Sequence, residues 1–130
     1  MRRILIVDDR EEVRLALVML LEDQGCETIE ATDGSQVLPI VLESRPDLVL
    51  LDLAMPVMDG FDALRELKAN EQAKDVPVIV ITARTELADQ ARAMSMGVAD
   101  YVTKPFSVAD VLARINLVLR RNGSRSHAEL

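Results

Sequence analysis

Five short apolar segments alternate along the chain with five stretches of helical periodicity, and this alternation limits the possible folds more than any other feature. Three of the segments, residues 4–7, 48–51 and 78–81, are apolar at every position. That pattern is typical of parallel strands buried on both faces. A weaker strand is predicted over residues 27–31, and a fifth strand over residues 99–103. Strict alternation implies right-handed crossovers, so we predict an α/β protein with a doubly wound, five-stranded parallel sheet and five helices.

The length and the cysteine content of the chain restrict its organisation. With 130 residues, one domain with a single continuous core is expected. We place this domain at residues 1–121 and predict a flexible tail over residues 122–130, where serine, glycine and charged residues are frequent. The only cysteine, Cys26, has no partner for a disulfide or a cysteine-rich metal site, and we interpret it as a buried thiol.

The charge and the apolar content of the chain exclude two classes of partner. The net charge is -7 and aromatic residues make up only 2% of the sequence, so direct nucleic-acid binding by this segment is not expected. No apolar run approaches the roughly 18 residues that a membrane span needs, and the apolar segment near the N-terminus is too short for a signal peptide. We therefore expect a soluble protein of the cytoplasm.

Polar residues stand where the predicted strands end. Asp8 and Asp9 follow the first strand, Asp52 the third, Thr82 the fourth and Lys104 the fifth. The carboxyl ends of parallel strands meet at one edge of a sheet, beside the point where the strand order reverses, so we expect these side chains to gather there. Crowded carboxylates repel one another unless they share a proton or hold a divalent cation. Their hard oxygen ligands favour magnesium.

This set of side chains is suited to stabilising a phosphoryl group carried by one carboxylate. A metal ion and Lys104 would neutralise the phosphoryl oxygens, and the Thr82 hydroxyl would donate a hydrogen bond. Asp52 is the expected nucleophile because it stands on the central strand, whereas Asp8 and Asp9 fall at the start of a helix. Each residue alone has a simpler interpretation as a helix cap or a solvated charge. Their coincidence at four strand ends favours a site.

The same residues lie in segments that resemble the receiver domains of two-component response regulators, and the resemblance covers residues 3–121. The matching segments, in chain order, are residues 4–9, 47–56, 58–60, 81–83 and 99–106. The resemblance implies a flavodoxin-like fold with strand order 2-1-3-4-5. It also implies that a sensor histidine kinase or a histidine phosphotransfer protein donates a phosphoryl group to Asp52.

The resemblance implies a metal site as well. Magnesium would be held by Asp9 and Asp52, by the backbone carbonyl of Ala54, and by Asp8 through water. Ala54 itself offers no side-chain hydrogen bond to an attacking water, so the acyl phosphate is expected to be accessible. Arg84, two residues after the strand-end threonine, is expected to reach over that phosphate.

A conformational switch is a further implication of the resemblance. Lys104 would contact the phosphoryl group through a cis Lys104–Pro105 peptide bond, Thr82 would swing toward the group after transfer, and Tyr101 would turn inward behind it. A newly placed dianion draws in a hydroxyl, and the vacated space admits an aromatic ring.

The surface formed by the fourth helix, the fifth strand and the fifth helix is expected to respond to phosphorylation. Asp100 and Arg114 match positions that form salt bridges across symmetric dimers in the winged-helix branch of the family. Gln90 and Met96 depart from that pattern, so a dimer and a solvated charged face both remain open. The sequence also leaves open whether the chain is a stand-alone regulator or part of a longer protein.

Three other functions compete with the phosphoacceptor interpretation. An aspartate-nucleophile phosphatase usually has a second acid two residues after the nucleophile, and that position is Ala54. A degenerate receiver, acting as an unphosphorylated interaction module, would not need the intact set of strand-end residues. A flavin or nucleotide carrier would need a glycine-rich loop after the first strand, where residues 8–12 form an acidic turn.

Overall fold

The computed structural model describes residues 2–129, with side chains described for residues 2–122. Within that range the predicted five strands and five α-helices are confirmed, and one short 3-10 helix precedes the second α-helix. The strands are β1 (Arg3–Val7), β2 (Glu27–Ala31), β3 (Leu48–Leu51), β4 (Val78–Thr82) and β5 (Asp100–Thr103). The helices are α1 (Glu11–Asp23), α2 (Val37–Ser44), α3 (Gly60–Ala69), α4 (Leu87–Ser95) and α5 (Val108–Glu129).

The strands form one parallel sheet in the order β2-β1-β3-β4-β5, as predicted. From β1 the chain crosses to β2 on one side, and it then returns to place β3 on the other side of β1. Strand order therefore reverses between β1 and β3. The carboxyl ends of these two strands flank the reversal point, which is where open α/β sheets bind their ligands.

Two apolar clusters cover the two faces of the sheet, which explains why the central strands are apolar at every position. Successive side chains of a strand point to opposite faces. Val49 and Leu51 of β3 join the cluster under α2, α3 and α4. Leu48 and Leu50 join the cluster under α1 and α5. Each such buried side chain contributes roughly 1.5–3 kcal/mol to folding, so the strands that carry the site are the most firmly held part of the chain.

Cys26 differs slightly from the sequence prediction, because its thiol is half-buried. The residue follows α1 and packs at the border of the cluster under α1 and α5. Burial raises the pKa of the Cys26 thiol, so the thiolate is less populated there than in a free cysteine.

A flexible tail was predicted over residues 122–130. The side chains of residues 123–130 lie outside the described part of the chain. Among the residues that are described, no helix combines the length and the apolar character that crossing a bilayer requires.

The loop between β3 and α3 contains a strained residue. Val57 has a φ of 66°, in the left-handed region that β-branched residues rarely adopt. The Met58 N–H donates to the Pro56 carbonyl at 2.7 Å, which closes a three-residue γ-turn around Val57. The Val57 side chain is 89% exposed, so little packing offsets the strain.

Replacing Val57 with glycine is expected to stabilise the protein by about 1 kcal/mol, because glycine adopts positive φ without a steric cost. Urea unfolding of V57G beside wild type measures the change. V57A is the matched control, since it keeps a Cβ and therefore most of the strain. Equal stability of V57G and V57A would contradict the interpretation.

Candidate functional site

Two buried aspartates follow the central strands. Asp8 comes directly after β1 and Asp52 directly after β3, and both are almost fully buried. The Asp8 N–H donates to the Ala31 carbonyl at 3.1 Å, and the Asp52 N–H donates to the Val7 carbonyl at 3.0 Å. These bonds continue the sheet ladder by one residue beyond the strands. The backbone of both aspartates is therefore fixed by the sheet, and their carboxylates lie at its carboxyl edge.

A third aspartate completes a cluster of carboxylates. Asp9 is exposed, and its carboxylate lies with those of Asp8 and Asp52 so that one oxygen from each falls within 4.8 Å of the others. Burial raises the pKa of Asp8, against a lowering effect of the hydrogen bond from Lys104. Three hard oxygen donors at this spacing fit a divalent cation such as magnesium, which would also relieve their mutual repulsion.

Lys104 provides the cation opposite the carboxylates. Its ammonium nitrogen lies 2.7 Å from Asp8 Oδ2 and 3.3 Å from Asp52 Oδ2, and its side chain is only 13% exposed. The Lys104 N–H donates to the Thr82 carbonyl at 2.8 Å, which attaches the residue after β5 to the end of β4. The Lys104–Pro105 peptide bond is cis, as predicted.

Thr82 and Tyr101 are joined through the backbone of Arg84. The Thr82 hydroxyl, which is fully buried, accepts a hydrogen bond from the Arg84 N–H at 3.4 Å. The Tyr101 ring is buried as well, and its hydroxyl donates to the Arg84 carbonyl at 2.9 Å. Burial is the main cause of a raised pKa at Tyr101.

The structure also locates the two residues expected to affect phosphate lifetime. Ala54 is exposed, and its N–H donates to Asp52 Oδ1 at 3.1 Å. The Arg84 guanidinium lies 3.8 Å from Asp89 and 5.8 Å from the centre of the Phe61 ring. Phe61 belongs to α3 and Asp89 to α4. The Arg84 side chain would need a different rotamer to lie over the phosphate, and that position stays a prediction.

Two residues that support the site were not recognised in the sequence. Arg14 of α1 donates to the backbone carbonyl of Asp8 at 2.9 Å. Gly60 packs so closely on the end of β3 that a Cβ there would lie 2.6 Å from Leu53 Cα and closer still to the Asp52 carbonyl oxygen. Gly60 entered the sequence analysis only within the matching segment 58–60, because no local pattern shows how near a helix start comes to a strand end.

Replacing Gly60 with alanine is expected to displace the end of β3, because the new methyl group overlaps the backbone of residues 52 and 53. Overpacking of this kind costs about 1–3 kcal/mol, and the shift should lower magnesium-dependent labelling by acetyl phosphate. Urea unfolding and labelling with radioactive acetyl phosphate measure the two effects.

The control for this substitution is Gly25→Ala. Gly25 has a φ of +83° but no atom within 4 Å of an added Cβ, so this variant should lose stability without losing label. A normal extent of labelling in G60A would show that the close approach does not position Asp52.

Comparison with known proteins supplies independent information. The family model described as the response regulator receiver domain matches residues 4–116. The phosphate regulon transcriptional regulatory protein PhoB of Pseudomonas aeruginosa is 38% identical over 122 residues, which are 94% of this chain and 53% of that protein. The DNA-binding response regulator MtrA of Mycolicibacterium smegmatis is 43% identical over 121 residues, which are 93% of this chain and 52% of that protein.

Solved structures show the same architecture. A CheY-like receiver domain protein from Methanospirillum hungatei superposes with a TM-score of 0.89 at 25% identity, covering 96% of this chain and 98% of the other. The receiver domain of the Francisella response regulator 1452 gives a TM-score of 0.86 at 28% identity, covering 94% and 99%. The chain spans about half the length of the curated relatives that it matches.

Proposed function

Because the chain belongs to the response regulator receiver family, whose role in two-component systems is phosphoacceptance, we propose that Asp52 is the residue that accepts the phosphoryl group. The observation that carries this assignment is that the Asp52 carboxylate lies 3.3 Å from the ammonium group of Lys104 and in one cluster with the carboxylates of Asp8 and Asp9. A carboxylate oxygen of Asp52 bonds to phosphorus as the bond between phosphorus and the donor nitrogen breaks.

Lys104 has a distinct role at each stage of the transfer. Before transfer its ammonium group offsets the charge of Asp8 and Asp52, at 2.7 Å and 3.3 Å. After transfer the same group is close enough to Asp52 to bind an oxygen of the new phosphoryl group. Fixed positive charge that is already in place stabilises the developing negative charge without rearrangement.

We assign the metal site to magnesium held by Asp8, Asp9, Asp52 and the backbone carbonyl of Ala54. The three clustered carboxylates support this assignment. When bound, the ion supplies positive charge for the phosphoryl oxygens. The chain keeps Asp8 and Asp52 buried, while Asp9 is exposed, and it holds the three carboxylates within reach of one another.

Thr82 and Tyr101 are proposed to report the phosphorylation state. A dianion on Asp52 attracts the Thr82 hydroxyl, which at present accepts a hydrogen bond from the Arg84 N–H. Loss of that bond alters the backbone at Arg84, whose carbonyl holds the Tyr101 hydroxyl. The signal thus passes from the strand end to the β4–α4 loop and to the face formed by α4, β5 and α5.

We infer that the chain accepts a phosphoryl group and does not turn over phosphoesters. Ala54 stands at the position where an acid would protonate a leaving group, so the phosphatase interpretation is not favoured. The donor of the phosphoryl group is a sensor histidine kinase or a histidine phosphotransfer protein. The signal then passes to a downstream protein partner or an output domain. We place the protein in the cytoplasm.

Labelling by acetyl phosphate tests the assignment of Asp52. Wild type is expected to acquire one phosphoryl group in the presence of magnesium and none after chelation. D52N should acquire none, because an amide oxygen is a far weaker nucleophile than a carboxylate. Intact-mass spectrometry counts the groups.

D62N is the matched control for this experiment. Asp62 lies in the first turn of α3, where it pairs with Arg65, and its loss should leave labelling unchanged. An unlabelled wild type would overturn the phosphoacceptor role, and a fully labelled D52N would move the role to another residue.

We also propose that the α4, β5 and α5 face pairs with a second copy after phosphorylation. Arg114 of α5 lies 2.8 Å from Asp100 and 3.1 Å from Asp110, and these contacts raise its pKa. Leu87 and Met94 of α4 are exposed as well. Partly exposed salt bridges on α5 and β5, together with exposed apolar residues on α4, suit a symmetric contact.

Sedimentation velocity with beryllofluoride and magnesium tests the pairing. Wild type is expected to shift from monomer to dimer, while R114A stays monomeric because Asp100 and Asp110 lose their cation. R65A removes an arginine that contacts only Asp62 among the described residues, and it should still form dimers. A monomeric wild type under these conditions would refute the pairing.

A further inference from the structure

Helix α4 is attached to the rest of the protein by unusually few apolar contacts. Of its nine residues, Leu87–Ser95, only Ala93 is buried. Leu87 and Met94 are exposed. A segment with so little buried apolar surface opens locally at low free-energy cost, so other contacts must contribute to holding α4 in place.

One of these contacts joins α4 to α3. The guanidinium of Arg92 lies 4.0 Å from the centre of the Phe61 ring, within the range of a favourable cation–π interaction. Arg92 forms no ion pair with any carboxylate in the described part of the chain, which leaves the ring as its partner. Phe61 is almost fully buried, and the arginine covers the part of the ring that would otherwise meet solvent.

Phe61 is also close to the phosphorylation site. It follows Gly60, whose N–H donates to the Leu53 carbonyl at 3.0 Å and whose Cα packs on the backbone of Asp52. The Phe61 ring therefore belongs to a backbone segment that contacts the end of β3. Arg92 connects the Phe61 ring to α4.

A second arginine joins the same ring to the switch residues. Arg84 lies 5.8 Å from the Phe61 ring and 3.8 Å from Asp89 of α4. Its backbone bonds to both Thr82 and Tyr101. Phe61 is thus the point where the β4–α4 loop, helix α4 and the end of β3 meet.

We propose that Arg92 and Phe61 form a latch that couples the phosphorylation state of Asp52 to the position of α4, with Arg92 as the positioning residue. The coupling rests on the proposed function of Asp52; the latch contact itself does not. With the latch closed, α4 stays on α3 and confines the Tyr101 ring, which packs in the same apolar cluster as Ala93 of α4. A change at Thr82 and Arg84 then moves the ring between two defined positions. Without the latch, α4 separates from α3 and the Tyr101 ring no longer has two distinct surroundings.

Two measurements on the full chain test the latch. Hydrogen exchange read by mass spectrometry should be about two- to fivefold faster in α4 of R92A than in wild type, as loss of an exposed cation–π contact predicts, while α5 is unchanged. Tyrosine emission gives the second readout. The chain has one tyrosine and no tryptophan, so the change in emission on adding beryllofluoride and magnesium reports Tyr101 alone, and R92A should reduce it.

Two control variants separate the loss of the cation–π contact from the loss of a positive charge. R92K keeps a cation over the ring and should restore most of both signals. R65A removes the same charge from α3 without touching Phe61 and should behave as wild type. All variants are labelled with acetyl phosphate in parallel, and R92A is expected to accept label normally.

The outcomes separate the latch from the proposed function. Unchanged exchange of α4 in R92A would overturn the latch, and faster exchange with an unchanged Tyr101 response would overturn the coupling. Absence of labelling in wild type would overturn the phosphoacceptor role and the coupling with it. The exchange data would then still decide whether Arg92 holds α4.

Discussion

The contact of one lysine with two buried carboxylates is the interaction on which the rest of the site depends. Asp8 and Asp52 are held side by side by the sheet ladder, and two buried carboxylates this close repel each other unless a cation lies beside them. Lys104 supplies that charge from the end of β5, which is separated from β3 by β4. The buried pair therefore requires β1, β3 and β5 to end at the same edge, which only the parallel order of this sheet provides.

Arg84 links this charged centre to the surface. Its N–H and carbonyl bond to the side chains of Thr82 and Tyr101, while its guanidinium reaches Asp89 and Phe61. Helix α4 has only one buried residue of its own, so little buried apolar surface opposes its movement. In the proposed switch, this weak attachment is the physical condition that lets a small change at the site become a change of surface.

Most of the fold and the main site residues could be predicted from the sequence. Continuous apolar runs indicated strands with two covered faces, and the polar residue after each run indicated the edge where Asp8, Asp52 and Lys104 meet. The close approach of Gly60 to Asp52 and the contact of Arg14 with the Asp8 carbonyl could not be predicted. Both depend on how a helix packs on a strand end, and no local pattern encodes that distance. Cys26 was expected to be buried and is half-buried, since it lies at the edge of the α1 and α5 cluster.

The sequence by itself determined the order of the elements, the sheet type and the identity of the strand-end residues, because periodicity and strand termination are local properties of the chain. The tertiary structure alone decided which charges touch, that Arg84 bonds to both Thr82 and Tyr101, and that Arg92 reaches across to Phe61. These contacts join residues that are distant in sequence, and their distances follow from helix packing and side-chain rotamers. Asp52 could therefore be singled out from its position on the strand, whereas the path from Asp52 to helix α4 emerged only in three dimensions.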